Sequence, residues 1–253
     1  MSKLPKAHKF TDLSDYGRPA ARLIANGLKH TDFTPIHVTI GFIFSGLIAI
    51  FCILEGYFWA AGFFLILKSI LDAADGELAR VKKTPSYTGR YLDSVADILL
   101  NLLILLSIWF ITDANLVLTV LAFIGIQLQG TLYNYYYVIL RNQYQGDTTS
   151  RIFEKGSPAA MKGEKQKHVD ILYYMYRVLY SAFDKSIYLL DKKATKSKKF
   201  PNWLMTAVST FGLGFQLLII SIMLIMAWQA YIIPFFVAYT FMILIFIGIR
   251  KLL

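Results

Sequence analysis

Apolar residues run through this chain in long stretches rather than alternating with polar ones. Six such stretches stand out, at 35–54, 57–71, 98–111, 116–140, 203–228 and 231–249, with tryptophans and tyrosines at several of their ends. Runs of this length and flanking predict membrane helices anchored by interfacial aromatics. Two are short for a membrane span, since 57–71 has 15 residues and 98–111 has 14, against about 20 for a bilayer core. Each reaches spanning length only by taking in the polar residues next to it. The second run extends through Asp72 and Asp75, and the third begins at Asp93 and Asp97.

Two further segments carry helical periodicity without membrane-grade apolarity. Residues 15–29 place Ala20, Leu23, Ile24 and Leu28 at helical spacing among Arg18, Arg22 and Lys29, which predicts an amphipathic helix lying in the interface. A solvated helix leading into the first span fits the same pattern. Residues 141–202 begin as a polar loop. They then carry a stripe of Val169, Leu172, Met175, Tyr176, Leu179, Phe183, Ile187 and Leu190, broken by Arg177, Asp184 and Lys185. Those charges come too often for a span, so the segment is read as a cytoplasmic helical insertion between the fourth and fifth spans. The fold class is therefore all-α integral membrane, with six transmembrane helices, an N-terminal interfacial helix within a 1–34 arm, and the 141–202 insertion. Together they form one domain over 1–253.

Composition supports this reading, with 56% hydrophobic residues and a mean hydropathy of +0.51. The polar first thirty residues argue against a cleavable signal peptide. Cys52 is the single cysteine, which excludes an intramolecular disulfide and argues against a structural cysteine zinc site. The net charge of +10 matters through its placement. With the N-terminus inside, the outer turns at 55–56, 112–115 and 229–230 contain no lysine or arginine, and every basic residue except Lys68 falls on the inner side. That distribution obeys the positive-inside rule. It accounts for the basic balance without a nucleic-acid partner, and it places both termini in the cytoplasm.

The chemistry sits in the acids that complete the two short spans. Residues three or four apart share a helix face, so Asp72 and Asp75 point together, as do Asp93 and Asp97. Each carboxylate costs roughly 2.5–3.5 kcal/mol at membrane depth, and four in proximity repel one another. Two divalent cations would cancel the charge, and all-oxygen ligation selects a hard ion, Mg²⁺ or Mn²⁺. Such a pair suits in-line displacement at phosphorus. Gly76 lets a phosphate approach the backbone. Ala79 keeps that face open, Arg80 offers a planar donor for phosphate, and Gly89 lets the third span start tight against the second. Two other readings compete: helix-pinning ion pairs with Lys68, Arg80 or Arg90, and a proton or cation pathway. The acids stay at one membrane edge, with no continuing relay in the outer halves of the spans.

The spacing Asp72-x2-Asp75-Gly76-x2-Ala79-Arg80-x8-Gly89-x3-Asp93-x3-Asp97 resembles in full the signature of the CDP-alcohol phosphotransferases. Eight fixed identities at about 6% usage each make a chance match rarer than about one in a billion per start position. The run from Thr34 to Thr39 is similar to that family's entry to its first span, with Ile36 where the family has asparagine. The resemblance implies a membrane enzyme, usually a homodimer, that releases CMP from a CDP-linked alcohol and passes the phosphoryl alcohol to an acceptor hydroxyl. It implies metal binding by Asp72, Asp75, Asp93 and Asp97, with Asp97 also taking the acceptor's proton. Gly76, Ala79 and Arg80 would hold the CDP moiety, and Ser86 would lie near the donor's phosphates.

The tract 91–97 looks more like members that use CDP-diacylglycerol and a small polar alcohol, or its phosphate, in a bacterial cell membrane. The alternative is transfer from CDP-choline or CDP-ethanolamine to diacylglycerol. Lys68 and Arg141 are the cations placed to meet a phosphorylated acceptor, although Lys68 could equally pair with Asp72. The cluster Tyr133, Tyr135, Tyr136 and Tyr137 suits either a choline cation or the aromatic belt. His37 is expected to be an interfacial histidine without a role.

Overall fold

The computed structural model describes residues 4, 9–144, 156–197 and 200–253, and among these it holds helices and no strand. Residues 145–155 and 198–199 of the expected insertion, and most of 1–8 of the arm, lie outside the described residues. Ten helices follow in order: α1 Arg18–Leu28, α2 Pro35–Leu54, α3 Phe58–Lys82, α4 Tyr87–Thr112, α5 Leu116–Gln143, α6 Gln166–Leu190, α7 Asn202–Val208, α8 Leu213–Ile225, α9 Gln229–Thr240 and α10 Met242–Leu252.

Among the described residues four helices are long and apolar enough to cross a bilayer: α2, α4, α5 and the Gln229–Leu252 run of α9 and α10. A fifth is bent. The expected straight span at 203–228 is α7, a 3-10 turn over Ser209–Phe211, and α8, joined at 55°. The bend has a visible cause. Gly212 and Gly214 lie against Ser14, and a Cβ on either would collide with it. The Leu13 N–H donates to Ser209 Oγ at 2.9 Å, so the N-terminal arm seats in the break. The second expected span, α3, does not qualify among these, because Lys68, Asp72 and Asp75 interrupt its hydrophobic part.

The helix ends follow local chemistry. Thr34 caps α2 by accepting from the His37 N–H, while His37 Nδ1 accepts from the Thr34 N–H at 3.0 Å. His37 is thus the returning half of a capping box, which corrects the expectation that it has no role. Lys83 adopts a left-handed conformation, φ 56°, and ends α3. Three residues later Ser86 caps α4, accepting from the Gly89 N–H at 2.8 Å. This short connection reverses the chain and leaves the acids of α3 and α4 at the same end, with α2 packed against both helices.

α1 packs on α3 through Ala21 and Ala25 against Ala74 and Leu78, while Leu23 is exposed. The buried face is therefore offset from the stripe read in the sequence, because small residues allow the closest approach between helices. α6 lies across α4 and α5, burying Val169, Tyr173 and Ile187. Met175 and Leu190 of its expected stripe are exposed instead. Past its end, the buried Asp191 carboxylate accepts from Arg250 of α10 and from Tyr136 Oη of α5.

Candidate active site

α2, α3 and α4 bring the expected acids together at one end of the bundle. Asp72, Asp75 and Asp93 each present a carboxylate oxygen, all within 4.8 Å of one another. Asp75 is buried and accepts from Thr39 Oγ1 at 2.7 Å. Thr39 is a site neighbour that spacing alone did not assign, although it closes the tract entering α2. Asp93 Oδ1 is buried and has no hydrogen-bond partner. A carboxylate oxygen left unpaired beside two other carboxylates is costly by itself. A hard divalent cation is the partner this donor set fits.

Asp97 stands apart from that trio. Its Oδ1 accepts from Lys68 Nζ at 2.6 Å. Lys68 is fully buried, and its ammonium lies 4.8 Å from the centroid of the Phe42 ring. The expected convergence of four carboxylates is thus three carboxylates plus a Lys68–Asp97 pair. Asp72 is one turn from Lys68 on α3, yet the lysine reaches across to α4.

Arg80 folds back over its own helix. Its Nη1 and Nη2 lie 3.6 Å from where a Cβ on Gly76 would stand, an ordinary van der Waals contact, so the guanidinium lies over this turn of α3. Arg80 pairs with Glu77 at 3.2 Å. Arg18 of α1 donates to the same carboxylate at 2.7 Å and also pairs with Asp15. Burial disfavours the charged form of Arg18, but these two carboxylates outweigh it and raise its pKa above the usual arginine value. Ala79 is partly exposed, and its carbonyl accepts from the Thr84 N–H at 3.0 Å at the end of α3.

Ser86 and Gly89 stand at the start of α4. Besides capping the helix, Ser86 Oγ donates to Glu164 Oε1 at 2.7 Å, and the Thr88 N–H donates to the same oxygen at 2.7 Å. The Met161 N–H reaches Glu164 Oε2 at 2.9 Å. Burial pushes the Glu164 pKa up, but these donors prevail and hold it at about 2. A Cβ on Gly89 would meet Ser86 Oγ at 3.3 Å and Ile36 at 3.8 Å. The glycine therefore accommodates the cap and α2, rather than the close approach of α3 that spacing suggested. From α6, Tyr180 Oη donates to the Ser94 carbonyl at 2.8 Å, between Asp93 and Asp97.

The family model for CDP-alcohol phosphatidyltransferase matches residues 33–213, well over half of the 253 residues. The chain belongs to that family. As a CDP-alcohol phosphatidyltransferase it is an all-helical membrane protein that transfers phosphatidyl groups from a CDP-alcohol. No curated protein matches the chain. The matched residues contain all the acids, Arg80, Ser86 and α6, and they exclude α1 with Arg18.

The remaining expectations for this phosphatidyltransferase concerned its tyrosines and Arg141. Tyr133 Oη donates to Asp12, Tyr135 Oη to the Asp191 carbonyl at 3.0 Å and Tyr136 Oη to Asp191 Oδ2 at 2.7 Å. Arg141 is buried, with its guanidinium 4.9 Å from the centroid of the Tyr137 ring. This cluster fastens the N-terminal arm and the end of α6 to α5, so its hydroxyls are engaged in the fold.

Proposed function

We propose that this chain moves the phosphatidyl group of CDP-diacylglycerol to the hydroxyl of a small polar alcohol or its phosphate, releasing CMP. The observation that carries this reading is the three-carboxylate cluster with its unpaired Asp93 oxygen, one helical turn from a fourth carboxylate held by a buried lysine. Asp72, Asp75 and Asp93 would hold the divalent cations, Mg²⁺ or Mn²⁺, with Asp97 adjoining. When bound, such ions supply positive charge for a diphosphate and its departing CMP.

The residues of the chain do the rest. Arg80 and the open backbone at Gly76 receive the donor's phosphates, with Ala79 keeping that face clear and the Gly89 turn setting the start of α4. Asp97 accepts the proton of the acceptor hydroxyl as its oxygen bonds to phosphorus and the bond from phosphorus to the CMP oxygen breaks. Lys68 holds the Asp97 carboxylate toward the site, a role its burial favours over contact with a phosphorylated acceptor. Ser86, already committed to the cap and to Glu164, orders the loop beside the donor rather than binding it directly.

α3 completes the six spans in this reading, with its acids near the cytoplasmic face and both termini cytoplasmic. The setting is a bacterial cell membrane, and the working form is a homodimer. Purified protein given CDP-diacylglycerol, Mg²⁺ or Mn²⁺ and a panel of alcohols should release CMP. Release from CDP-choline with diacylglycerol, and none from CDP-diacylglycerol, would reverse donor and acceptor. No release from any CDP-alcohol would overturn the proposed reaction.

A further inference from the structure

The amphipathic helix α1 lies outside the residues that match the family, yet it reaches the group expected to meet the donor's phosphates. Glu77 Oε1 is the meeting point. It takes Arg18 Nη1 at 2.7 Å and Arg80 Nη2 at 3.2 Å, with Arg22 Nε at 3.7 Å. Three guanidinium groups therefore share one carboxylate oxygen. Arg22 is largely solvent-exposed, whereas the Arg18, Arg80 and Glu77 side chains are 16%, 20% and 13% exposed.

A helix-pinning contact needs only Arg18 and Glu77. The addition of Arg80 turns the contact into a relay toward the acids. Arg80 has several rotamers open to it from its place on α3, and a flexible arginine loses rotamer freedom each time it is used. Glu77, itself one residue from Gly76, draws the guanidinium back over that glycine. Arg18 in turn fixes the Glu77 carboxylate, and Asp15 fixes Arg18 through Nε. The forked geometry matters, since a planar guanidinium holds two carboxylates in fixed directions at once, which an ammonium does not. Counting Arg18, Arg22 and Arg80 against Asp15 and Glu77 leaves one net positive charge, which suits a diphosphate arriving at Gly76.

We infer that Glu77 and Arg18 are positioning residues for the donor: together they preset the Arg80 guanidinium over Gly76, making α1 part of the nucleotide-diphosphate subsite. This inference rests on the donor site proposed above. Pre-setting lowers the ordering cost of binding, so its loss falls on donor affinity more than on the chemical step.

The test compares Glu77→Gln, Arg18→Gln and Arg18→Lys with the wild type, in full-length protein in detergent with Mg²⁺. CMP affinity is read by calorimetry, and KM for CDP-diacylglycerol and for the acceptor by CMP release. Glu77→Gln should weaken CMP binding and raise donor KM by about tenfold, the scale of one charge-assisted hydrogen bond, while acceptor KM stays in place. Arg18→Gln should follow in the same direction. Arg18→Lys should recover thermal stability but only part of the donor affinity, because an ammonium lacks the fork. Equal changes in donor and acceptor KM that track melting temperature would reduce the contact to helix pinning and overturn the inference. Unchanged CMP affinity in folded Glu77→Gln would overturn it too, leaving the proposed reaction untouched. A wild-type chain that binds no CMP would remove the donor site itself.

Discussion

Replacing Lys68 by methionine tests the most consequential contact in the site. The change keeps most of the side-chain volume and removes the ammonium that meets Asp97 at 2.6 Å. Breaking one half of a buried ion pair strands the other charge, a loss of about 3–5 kcal/mol. The Asp97 side chain is 15% exposed, so the lower end applies, and the lost desolvated contact with Phe42 adds up to about 2 kcal/mol. For a chain of this size a loss of about 3–5 kcal/mol lowers the melting temperature by about 6–20 °C. Cys52, buried and the single cysteine, is a ready reporter: a thiol-reactive fluorogenic dye lights up as the fold opens. Asp97→Asn should destabilise in turn by stranding the ammonium. The Lys68→Met/Asp97→Asn double variant should recover much of the combined loss, giving a coupling of about 2 kcal/mol or more. Mg²⁺ should restore Lys68→Met more than the wild type, since a cation can serve the stranded carboxylate. Strictly additive losses, or Mg²⁺ stabilising both proteins equally, would refute the pairing as the source of the effect.

Three further outcomes follow from the geometry. Asp97→Asn should abolish CMP release while Mn²⁺ binding, read by electron paramagnetic resonance, persists through Asp72, Asp75 and Asp93; near-normal turnover would refute its assignment as base. Asp93→Asn should weaken Mn²⁺ binding by at least tenfold, about 1.4 kcal/mol, and unchanged affinity would move the cation elsewhere. Glu164 contributes through a depressed pKa, so its stabilisation is complete above the unfolded value of about 4.3 and is lost as pH falls through about 2. Glu164→Gln should therefore speed amide exchange at Thr88 and Gly89 relative to wild type at neutral pH. The gap should start to close below about pH 4.3, and a gap independent of pH would separate the exchange from Glu164 ionisation.

How far the sequence reaches into this structure depends on whether a feature is local. Asp72 with Asp75, and Asp93 with Asp97, are set by helical spacing within one element, so their faces and their common end of the bundle were readable. The caps Ser86 and Thr34 are likewise local, as is the lack of lysine and arginine in the turns at 55–56, 112–115 and 229–230. Lys68 was not resolved, because spacing offers Asp72 one turn away while the choice of Asp97 is made by the packing of α3 and α4 on α2. Glu77 escaped notice for the same reason: its partner Arg18 arrives only when Ala21 and Ala25 dock α1 onto α3. The tyrosines of α5 had a composition that fits a cation site, and only the positions of Asp12 and Asp191 show their hydroxyls to be engaged. The bend at Gly212 was hidden inside an apolar run whose two glycines resemble ordinary small-residue packing.

That bend also sets an order of assembly. The Leu13–Ser209 bond joins residues 196 positions apart, so the N-terminal arm emerges long before its seat exists. At synthesis rates of about 5–20 residues per second, roughly 10–40 s pass before Gly212 and Gly214 leave the ribosome. Throughout that interval the segment around Ser14 must wait for its seat while the apolar helices α2, α4 and α5 enter the bilayer. Its seating is then a closing step that registers the arrival of α8, and a chain truncated before residue 209 would keep Asp12 on Tyr133 but lose the seat at Ser209.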